Sequence, residues 1–182
     1  NTLAVGINKT ETAVLWKTGK MWFQVPETMK IVLKNRLSEG VFAKDLALWI
    51  KGILSELDVN GQAIEYHGEG VSSLSIDDRM TIANISTEMG VVSSAFPPDD
   101  RLADYFNEPA VRGVWADEEA VYSRFIEIDL ANVFPMVYDT RNNVLQGVEE
   151  LVGLKIQQGL IGACASGRLE DLRLVSMILE GK

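Results

Sequence analysis

Two kinds of hydrophobic pattern alternate along the chain and predict helices interspersed with strands. Apolar positions that recur every three or four residues predict helices over 8–17, 43–57, 75–89 and 168–180. Short apolar or alternating runs predict strands over 25–33, 63–67, 91–96, 125–130 and 154–161. Strands separated by helices favour βαβ units, so we expect an α/β fold with mostly parallel sheet flanked by helices.

Turn and capping residues divide the chain further. Asn8 to Glu11 and Ser75 to Asp78 have the spacing of capping boxes, which begin helices. The polar stretch 101–123 is the best candidate for a linker. We therefore expect a trailing helix of a preceding domain over 1–18, an α/β domain over 19–120, and the start of a second α/β domain over 121–182.

Composition narrows the classes of partner. The 182 residues are 47% hydrophobic and 24% charged, which suits a globular chain with a buried core. The formal net charge is −9, and no dense Lys/Arg run is present, so nucleic acid and anionic membranes are not expected partners. No apolar run approaches the ~18–20 residues of a membrane span, and no signal-peptide pattern is visible, so we expect a cytoplasmic location.

The chain has a single cysteine, which excludes an internal disulfide and any site built from several cysteines of this chain. Cys164 lies in a run of small residues, 162–167, between the predicted strand 154–161 and the last helix. A helix N-terminus favours a thiolate, the form that attacks electrophiles or binds iron. A buried structural cysteine is the alternative, because free cysteine is among the most buried residue types.

A polar stripe marks the predicted helix 75–89. Asp77, Thr81, Asn84 and Glu88 fall at i, i+4, i+7 and i+11, which places them on one helix face. Asparagine is a poor helix former, so a mid-helix asparagine suggests a site, with the Glu88 carboxylate able to transfer protons. The alternative is an ordinary solvated helix face.

The remaining candidate motifs are weak. His67, the only histidine, stands at the end of a predicted strand and has no partner histidine, so a hydrogen-bonded structural role is expected. Gly68 and Gly70 are too few glycines for a phosphate-binding loop. No Walker sequence, G-x-G-x-x-G or G-x-S-x-G pattern occurs.

Seven collinear segments together resemble the aconitase family of iron–sulfur hydro-lyases, in particular its isopropylmalate dehydratase and homoaconitase large-subunit branch. The segments are 18–27, 43–46, 64–70, 74–84, 94–99, 125–130 and 162–172. Each is modest alone, but their common order over nearly the whole chain is specific. The resemblance implies an aconitase-like fold and the reversible dehydration of a hydroxy di- or tricarboxylic acid, with leucine biosynthesis as the setting.

The resemblance also implies a cofactor and its residues. Members of the family hold a [4Fe–4S] cluster by three cysteines, and Cys164 matches the first of them, a metal ligand. Asn84 matches an asparagine that hydrogen-bonds near the cluster, and Glu88 matches a catalytic glutamate that supports an iron-bound oxygen. The implied partners are the remainder of the large subunit, a separate small subunit and a small-molecule hydroxy acid.

Other family motifs are missing from this chain. The two remaining cluster cysteines, in C-G-P-C, would follow Lys182, and the Asp-Ser-His-Thr motif would precede Asn1. We therefore expect a central piece of a large subunit that neither holds a cluster nor turns over alone. At the cysteine, the family's G-S-C-T-N-G is replaced by G-A-C-A-S-G at 162–167, which removes two hydrogen-bonding side chains.

Three alternatives stay open. The first is a non-catalytic interaction or assembly module on the same scaffold, with Cys164 merely packed. The second is homoaconitase or aconitase activity in place of isopropylmalate dehydration. The third is an unrelated flavodoxin-like binder, although the stretch after Leu33 offers no phosphate-cradling loop.

Overall fold

The chain folds around a five-stranded sheet with two long helices packed on one face. The computed structural model describes residues 4–107 and 113–181. The strands are β1 (Ala4–Val5), β2 (Thr28–Lys34), β3 (Ala63–His67), β4 (Ser93–Ala95), β5 (Arg124–Asp129), β6 (Met136–Asp139) and β7 (Val144–Gly147). The helices are α1 (Lys9–Thr18), α2 (Ala43–Ser55), α3 (Ile76–Ser86), α4 (Asp100–Phe106) and α5 (Leu169–Leu179).

The sheet is mostly parallel. Its strand order is β1-β4-β3-β2-β5, and only the short β1 runs antiparallel to its neighbour. The helices α2 and α3 provide the crossovers from β2 to β3 and from β3 to β4. The predicted α/β fold is therefore confirmed.

The core lies between the sheet and these two helices. Ile31 of β2 is paired with Tyr66 of β3 and Ile126 of β5, so their side chains form one row on the same face. Ile31 and Tyr66 are fully buried in a cluster with Ile50 of α2 and Ile82 of α3. The apolar period of both helices thus faces the apolar alternation of the strands, as amphipathic patterning requires.

The Gly68–Gly70 turn closes the carboxyl end of β3 against β2. Gly68 has φ +93°, and a Cβ there would lie 2.3 Å from the backbone oxygen of Leu33. A Cβ at Gly70 would lie 2.9 Å from the carbonyl group of the same residue. These glycines therefore allow a close backbone approach, which explains their presence without a phosphate ligand.

Capping residues set most helix ends as predicted. The side chains of Asn8 and Ser75 accept hydrogen bonds from the backbone N–H groups of Glu11 and Asp78, which completes both capping boxes. The α-helix α3 nevertheless ends at Ser86, earlier than predicted, and a short 3-10 turn continues through Thr87–Met89. Among the described helices, none is long and apolar enough to cross a membrane.

One predicted strand is wrong, and the first residues of the expected linker are helical. Residues 154–161 form no strand, because no other strand of the described residues lies beside them; Leu154, Ile156 and Leu160 are 58%, 75% and 88% exposed. The expected linker 101–123 begins within α4, which the Asp99 side chain caps by accepting from the Leu102 N–H. Residues 108–112 of that linker lie outside the described residues.

The chain after the expected linker returns to the same sheet. β5 pairs with β2 in parallel over Met29–Lys34 and Arg124–Asp129. The domain division near residue 120 stays a prediction, with β5 adding an edge strand to the sheet that precedes it. A hairpin of β6 and β7 follows, which the hydrophobic pattern did not predict.

Candidate functional site

Cys164 is presented by a tight loop of small residues immediately before α5. The loop closes on itself: a Cβ at Gly167 would lie 3.1 Å from the Ala163 backbone oxygen and 3.4 Å from the Gly162 Cα. Ala163 adopts a left-handed φ of +65°, which is uncommon for a residue with a Cβ. The Cys164 side chain is exposed, so the alternative of a packed, buried cysteine is wrong.

Polar contacts seat this loop on α3 and α2. The Arg168 guanidinium donates from Nη1 to Thr81 Oγ1 at 2.6 Å, and its Nε lies 3.6 Å from Asp77 Oδ1. On the other side, Lys44 Nζ donates to Ser166 Oγ at 2.9 Å. The loop that carries the thiol is therefore attached to the helix that carries the predicted polar stripe.

The same contact brings together two acidic helix starts. Asp77 and Asp78 lie in the first turn of α3, and Glu170 and Asp171 lie in the first turn of α5. Burial raises the pKa of Glu170, and the charges of Asp78 and Asp77 raise it further. The Arg168 cation stands against this negative charge and offsets part of the repulsion.

The polar stripe divides into three environments. Thr81 is 7% exposed and paired with Arg168, so the solvated-face alternative does not hold at this position. Asn84 is half-buried, one helical turn further along α3. Glu88 is exposed and lies in the 3-10 turn after α3, not on the α-helix itself. In the described chain, no hydrogen bond joins Cys164 to Asn84 or Glu88.

The metal-binding capacity of the site is limited to one thiol. The described residues contain no group of three or more His, Cys, Asp or Glu side chains that could hold a metal ion. The donor chemistry at Cys164 nevertheless suits iron, because the thiol is exposed and its chain neighbours at 162–167 are all small residues. Residues 4–107 and 113–181 thus offer one thiol, and a cluster would fit here only if other chain segments supplied its remaining ligands.

His67 belongs to a separate cluster on the sheet face opposite α2 and α3. Its Nε2 lies 3.4 Å from Glu65 Oε2 and 3.3 Å from the Tyr122 hydroxyl, which donates to Glu65 at 2.7 Å. The Trp115 ring packs against the imidazole, with centroids 5.1 Å apart. Burial lowers the pKa of His67, and the Lys30 charge adds to this, although Glu65 opposes it. These contacts support the structural role predicted for His67.

Burial and the hydrogen bond to Glu65 also raise the pKa of the Tyr122 hydroxyl, to about 12. The phenol therefore remains a hydrogen-bond donor at neutral pH. The Glu65 carboxylate therefore keeps the Tyr122 hydroxyl as a hydrogen-bond donor, and the His67 imidazole lies beside both groups.

Sequence reasoning missed two arginines. Arg79 is 4% exposed; its Nη1 donates to Asp99 Oδ1 at 2.9 Å, and its Nη2 donates to the Val71 carbonyl at 3.0 Å. The sequence does contain a signal for Arg79, because this arginine falls among the apolar positions of α3. A charge buried there requires a partner. Arg168 gave no such signal, because its partners lie about ninety residues earlier in the chain.

A groove of about 1060 Å³ lies elsewhere, between α1 and residues 20–27. Its lining includes Trp22 and Phe23 and contains none of Asn84, Glu88 and Cys164. The groove is therefore separate from the candidate site.

Fold and loop together define an α/β protein that presents a thiol from a small-residue loop seated on a neighbouring helix. The chain belongs to the aconitase family (aconitate hydratase), whose family model matches residues 1–144. That match includes the sheet, α3 with Asn84 and the following 3-10 turn with Glu88, and it ends before the Cys164 loop.

Individual relatives extend the match through the loop. The chain is 38% identical to the 3-isopropylmalate dehydratase large subunit 1 of Methanopyrus kandleri and 35% identical to that of Thermotoga maritima, over 98% and 96% of its length. It is 34% identical over 98% of its length to a probable methanogen homoaconitase large subunit of Methanosarcina mazei. The chain spans only 44%, 44% and 47% of these relatives.

Proposed function

We propose that this chain forms the part of an iron–sulfur hydro-lyase large subunit that supplies one cluster ligand and one wall of the active site. The observation that carries the proposal is the exposed Cys164 thiol, held in a closed loop on the helix that bears Asn84. Family membership and the named relatives support the class of reaction.

Each site residue has a role that its position suits. Cys164 would hold a [4Fe–4S] cluster as a thiolate, together with cysteines from outside these 182 residues. The Asn84 amide, half-buried on α3, would donate a hydrogen bond beside the cluster. The exposed Glu88 carboxylate would accept or return a proton at the substrate oxygen.

The cluster, when bound, supplies a Lewis-acidic iron that polarises the hydroxyl of the substrate. The chain itself contributes orientation. Arg168 and Lys44 attach the Cys164 loop to α3 and α2, which would place the thiolate in a defined position relative to the helix that bears the Asn84 amide. Groups held in a fixed geometry favour the reaction of a small acid more than mobile groups do, because less entropy is lost on orienting them.

The substrate we propose is a hydroxy dicarboxylic acid of the 3-isopropylmalate type, with leucine biosynthesis as the pathway. Seven relatives that share 35–38% identity with this chain are 3-isopropylmalate dehydratase large subunits, whereas the probable homoaconitase large subunit shares 34%. Their names imply a small subunit as the second partner. A cytoplasmic location belongs to the same proposal.

A chimaera tests the proposal directly. Residues 1–182 replace the matching segment of the Methanopyrus kandleri large subunit, and the chimaera is reconstituted anaerobically with ferrous iron and sulfide. Iron content, acid-labile sulfide and visible absorbance are measured for the chimaera, its Cys164→Ser variant and a Ser166→Ala control in the same loop. Turnover of 3-isopropylmalate is measured after the small subunit of the same organism is added.

We expect a cluster in the chimaera and in Ser166→Ala, and loss of the cluster in Cys164→Ser. Glu88→Gln should retain the cluster and lose about 10²-fold or more in turnover, as expected for an acid–base group. Residues 1–182 alone should hold no cluster, because they contain one cysteine. A folded chimaera that takes up no iron would favour the non-catalytic module, and a cluster in Cys164→Ser would refute the ligand role.

A further inference from the structure

We propose that Arg168 is a positioning residue, which bridges Thr81 and Asp77 on α3 and thereby holds the Cys164 loop in one place. The importance of this placement for a cluster ligand rests on the proposed function, whereas the seating of the loop does not. The residues involved lie outside the three predicted site positions.

The Arg168 bridge is better protected from solvent than the other side-chain hydrogen bond of the loop, between Lys44 and Ser166. The side chain of Arg168 is 21% exposed and that of Asp77 is 36% exposed, whereas Thr81 is buried. The hydrogen bond from Nη1 to Thr81 Oγ1, at 2.6 Å, is charge-assisted and therefore stronger than one between neutral groups. Lys44, which reaches Ser166, is exposed and contributes less.

The Arg168 bridge matters because few other contacts fix the position of the loop. Of the described residues after Val133, none is buried, and in the loop only the partly buried Ala165 packs against the core, so hydrophobic packing alone does little to fix the loop or α5. The first turns of α3 and α5 also bring the like charges of Asp77, Asp78 and Glu170 together; burial raises the pKa of Glu170, and these charges raise it further. Removing the cation would leave the acidic groups facing one another, and the loop would lose its fixed position.

The planar guanidinium is suited to this position. It directs Nε toward Asp77 and Nη1 toward Thr81 at the same time, and the single nitrogen of a lysine cannot repeat that geometry. Arg168 is also the N-cap residue of α5, and its backbone N–H donates to Asp171 Oδ2 at 2.9 Å. The side chain thus links two helix starts, while the backbone begins the second helix.

The single cysteine makes the test direct. A nitroxide is attached to Cys164 and a second to a Glu56→Cys substitution at the exposed end of α2, and pulsed EPR measures the distance between them. Variants Arg168→Ala and Arg168→Lys are compared with Arg173→Ala, an exposed arginine of α5 that makes no ion pair in the described part of the chain. Thermal unfolding of each variant monitors the sheet.

We expect one narrow distance peak in the parent and in Arg173→Ala, loss of that peak in Arg168→Ala, and partial broadening in Arg168→Lys. The thermal midpoint of Arg168→Ala should move by less than about 4 °C, since the anchor lies outside the core. A Thr81→Val, Asp77→Asn double variant, which leaves the loop and α5 unaltered, should also lose the peak. This variant decides the question if Arg168→Ala does not fold.

Two results would overturn the proposal. One is a narrow peak that persists in Arg168→Ala or in the double variant. The other is equal broadening in Arg168→Ala and Arg173→Ala, which would indicate general fraying of α5. Because no iron is present, neither result bears on the ligand role of Cys164, which the chimaera tests separately.

Discussion

The structure has two regions that are held together by different physical means. The sheet core, defined as the described residues of 28–133, contains the fully buried side chains of β2, β3, α2 and α3. The C-terminal segment, residues 134–181, contains no buried residue and carries Cys164. Its contacts with the core include aromatic and cation–π contacts, such as Trp49 against Phe134 and Lys51 over Tyr138, and the partly buried Ala165.

The stability of the fold therefore depends on the sheet core, whereas Cys164 lies in the C-terminal segment. Apolar burial in the core sets the free energy of unfolding, because burial is the dominant favourable term in folding. The segment that bears Cys164 contributes little to that term, so we expect it to open without unfolding the sheet. A site assembled from several chain segments requires a loop of this kind, which is placed accurately and yet remains accessible.

The largest expected effect comes from truncating the core. Ile31→Ala should lower the free energy of unfolding by about 2–5 kcal/mol, because Ile31 is fully buried at the centre of the sheet. The matched change in the C-terminal segment, Ile178→Ala, should cost less than about 0.5 kcal/mol, since that side chain is 56% exposed. Denaturant unfolding measures both, and similar losses would remove the distinction between the regions.

A second effect concerns the ion pair at the edge of the core. Asp99→Asn leaves the buried Arg79 guanidinium without its carboxylate and should cost about 1.5–3 kcal/mol at neutral pH. The adjacent Asp100→Asn, at an exposed position, should cost no more than about 0.5 kcal/mol. Urea titrations at neutral pH compare them, and equal losses would show that the pairing is unimportant.

The pH dependence of this pair has a definite sign. Burial acts to raise the pKa of Asp99, but the hydrogen bonds and charge of Arg79 outweigh it and hold the pKa below the ordinary value of 3.8. The stabilisation is therefore complete above 3.8 and is lost as the pH falls through the folded-state value. The stability difference between the parent and Asp99→Asn should narrow over that range.

A smaller effect is expected where the two regions meet. Glu170→Gln removes one of the facing acidic charges and should slow amide exchange in α5 about twofold, as expected for relief of a like-charge contact. Glu180→Gln, at the far end of the same helix, should leave exchange unchanged. The difference should vanish once acid protonates Glu170, whose pKa is raised above 4.5. Faster exchange in Glu170→Gln would contradict the assigned repulsion.

The smallest effect concerns the histidine on the opposite sheet face. Because burial lowers the pKa of His67, its neutral form stabilises the fold above the ordinary value of 6.5, and that contribution is lost as the pH falls below it. The thermal midpoint of the parent should therefore decline more than that of His67→Gln between about pH 7.5 and about pH 5.5. Equal declines of the two thermal midpoints with pH would show that the pKa of His67 is the same in the folded and unfolded states.

An element could be predicted from the sequence where residues close together in the chain determine it. The start of α3 follows from Ser75 and Asp78, three residues apart, and the period of α2 follows from its own side chains. Residues 154–161 read as a strand because an apolar run has the same pattern whether or not a neighbouring strand exists to pair with it.

The candidate site shows the same limit. Residue types and family motifs pointed to Cys164, Asn84 and Glu88, and their roles stay predictions. The sequence offered no means of deciding that Cys164 is exposed, or that Glu88 leaves the helix for a 3-10 turn. The bridge from Arg168 to Thr81 depends on the complete tertiary fold, so no local pattern contains it.

Native-state hydrogen exchange tests the division into two regions most directly. Amides of β2 and β3 should exchange only through global unfolding, whereas those of α5 should open at a free energy lower by about 3 kcal/mol or more. We expect Arg168→Ala to lower the α5 value further and to leave the β2 and β3 values unchanged. Amides of α5 as protected as those of β2 would instead show that the Cys164 segment is part of the packed core.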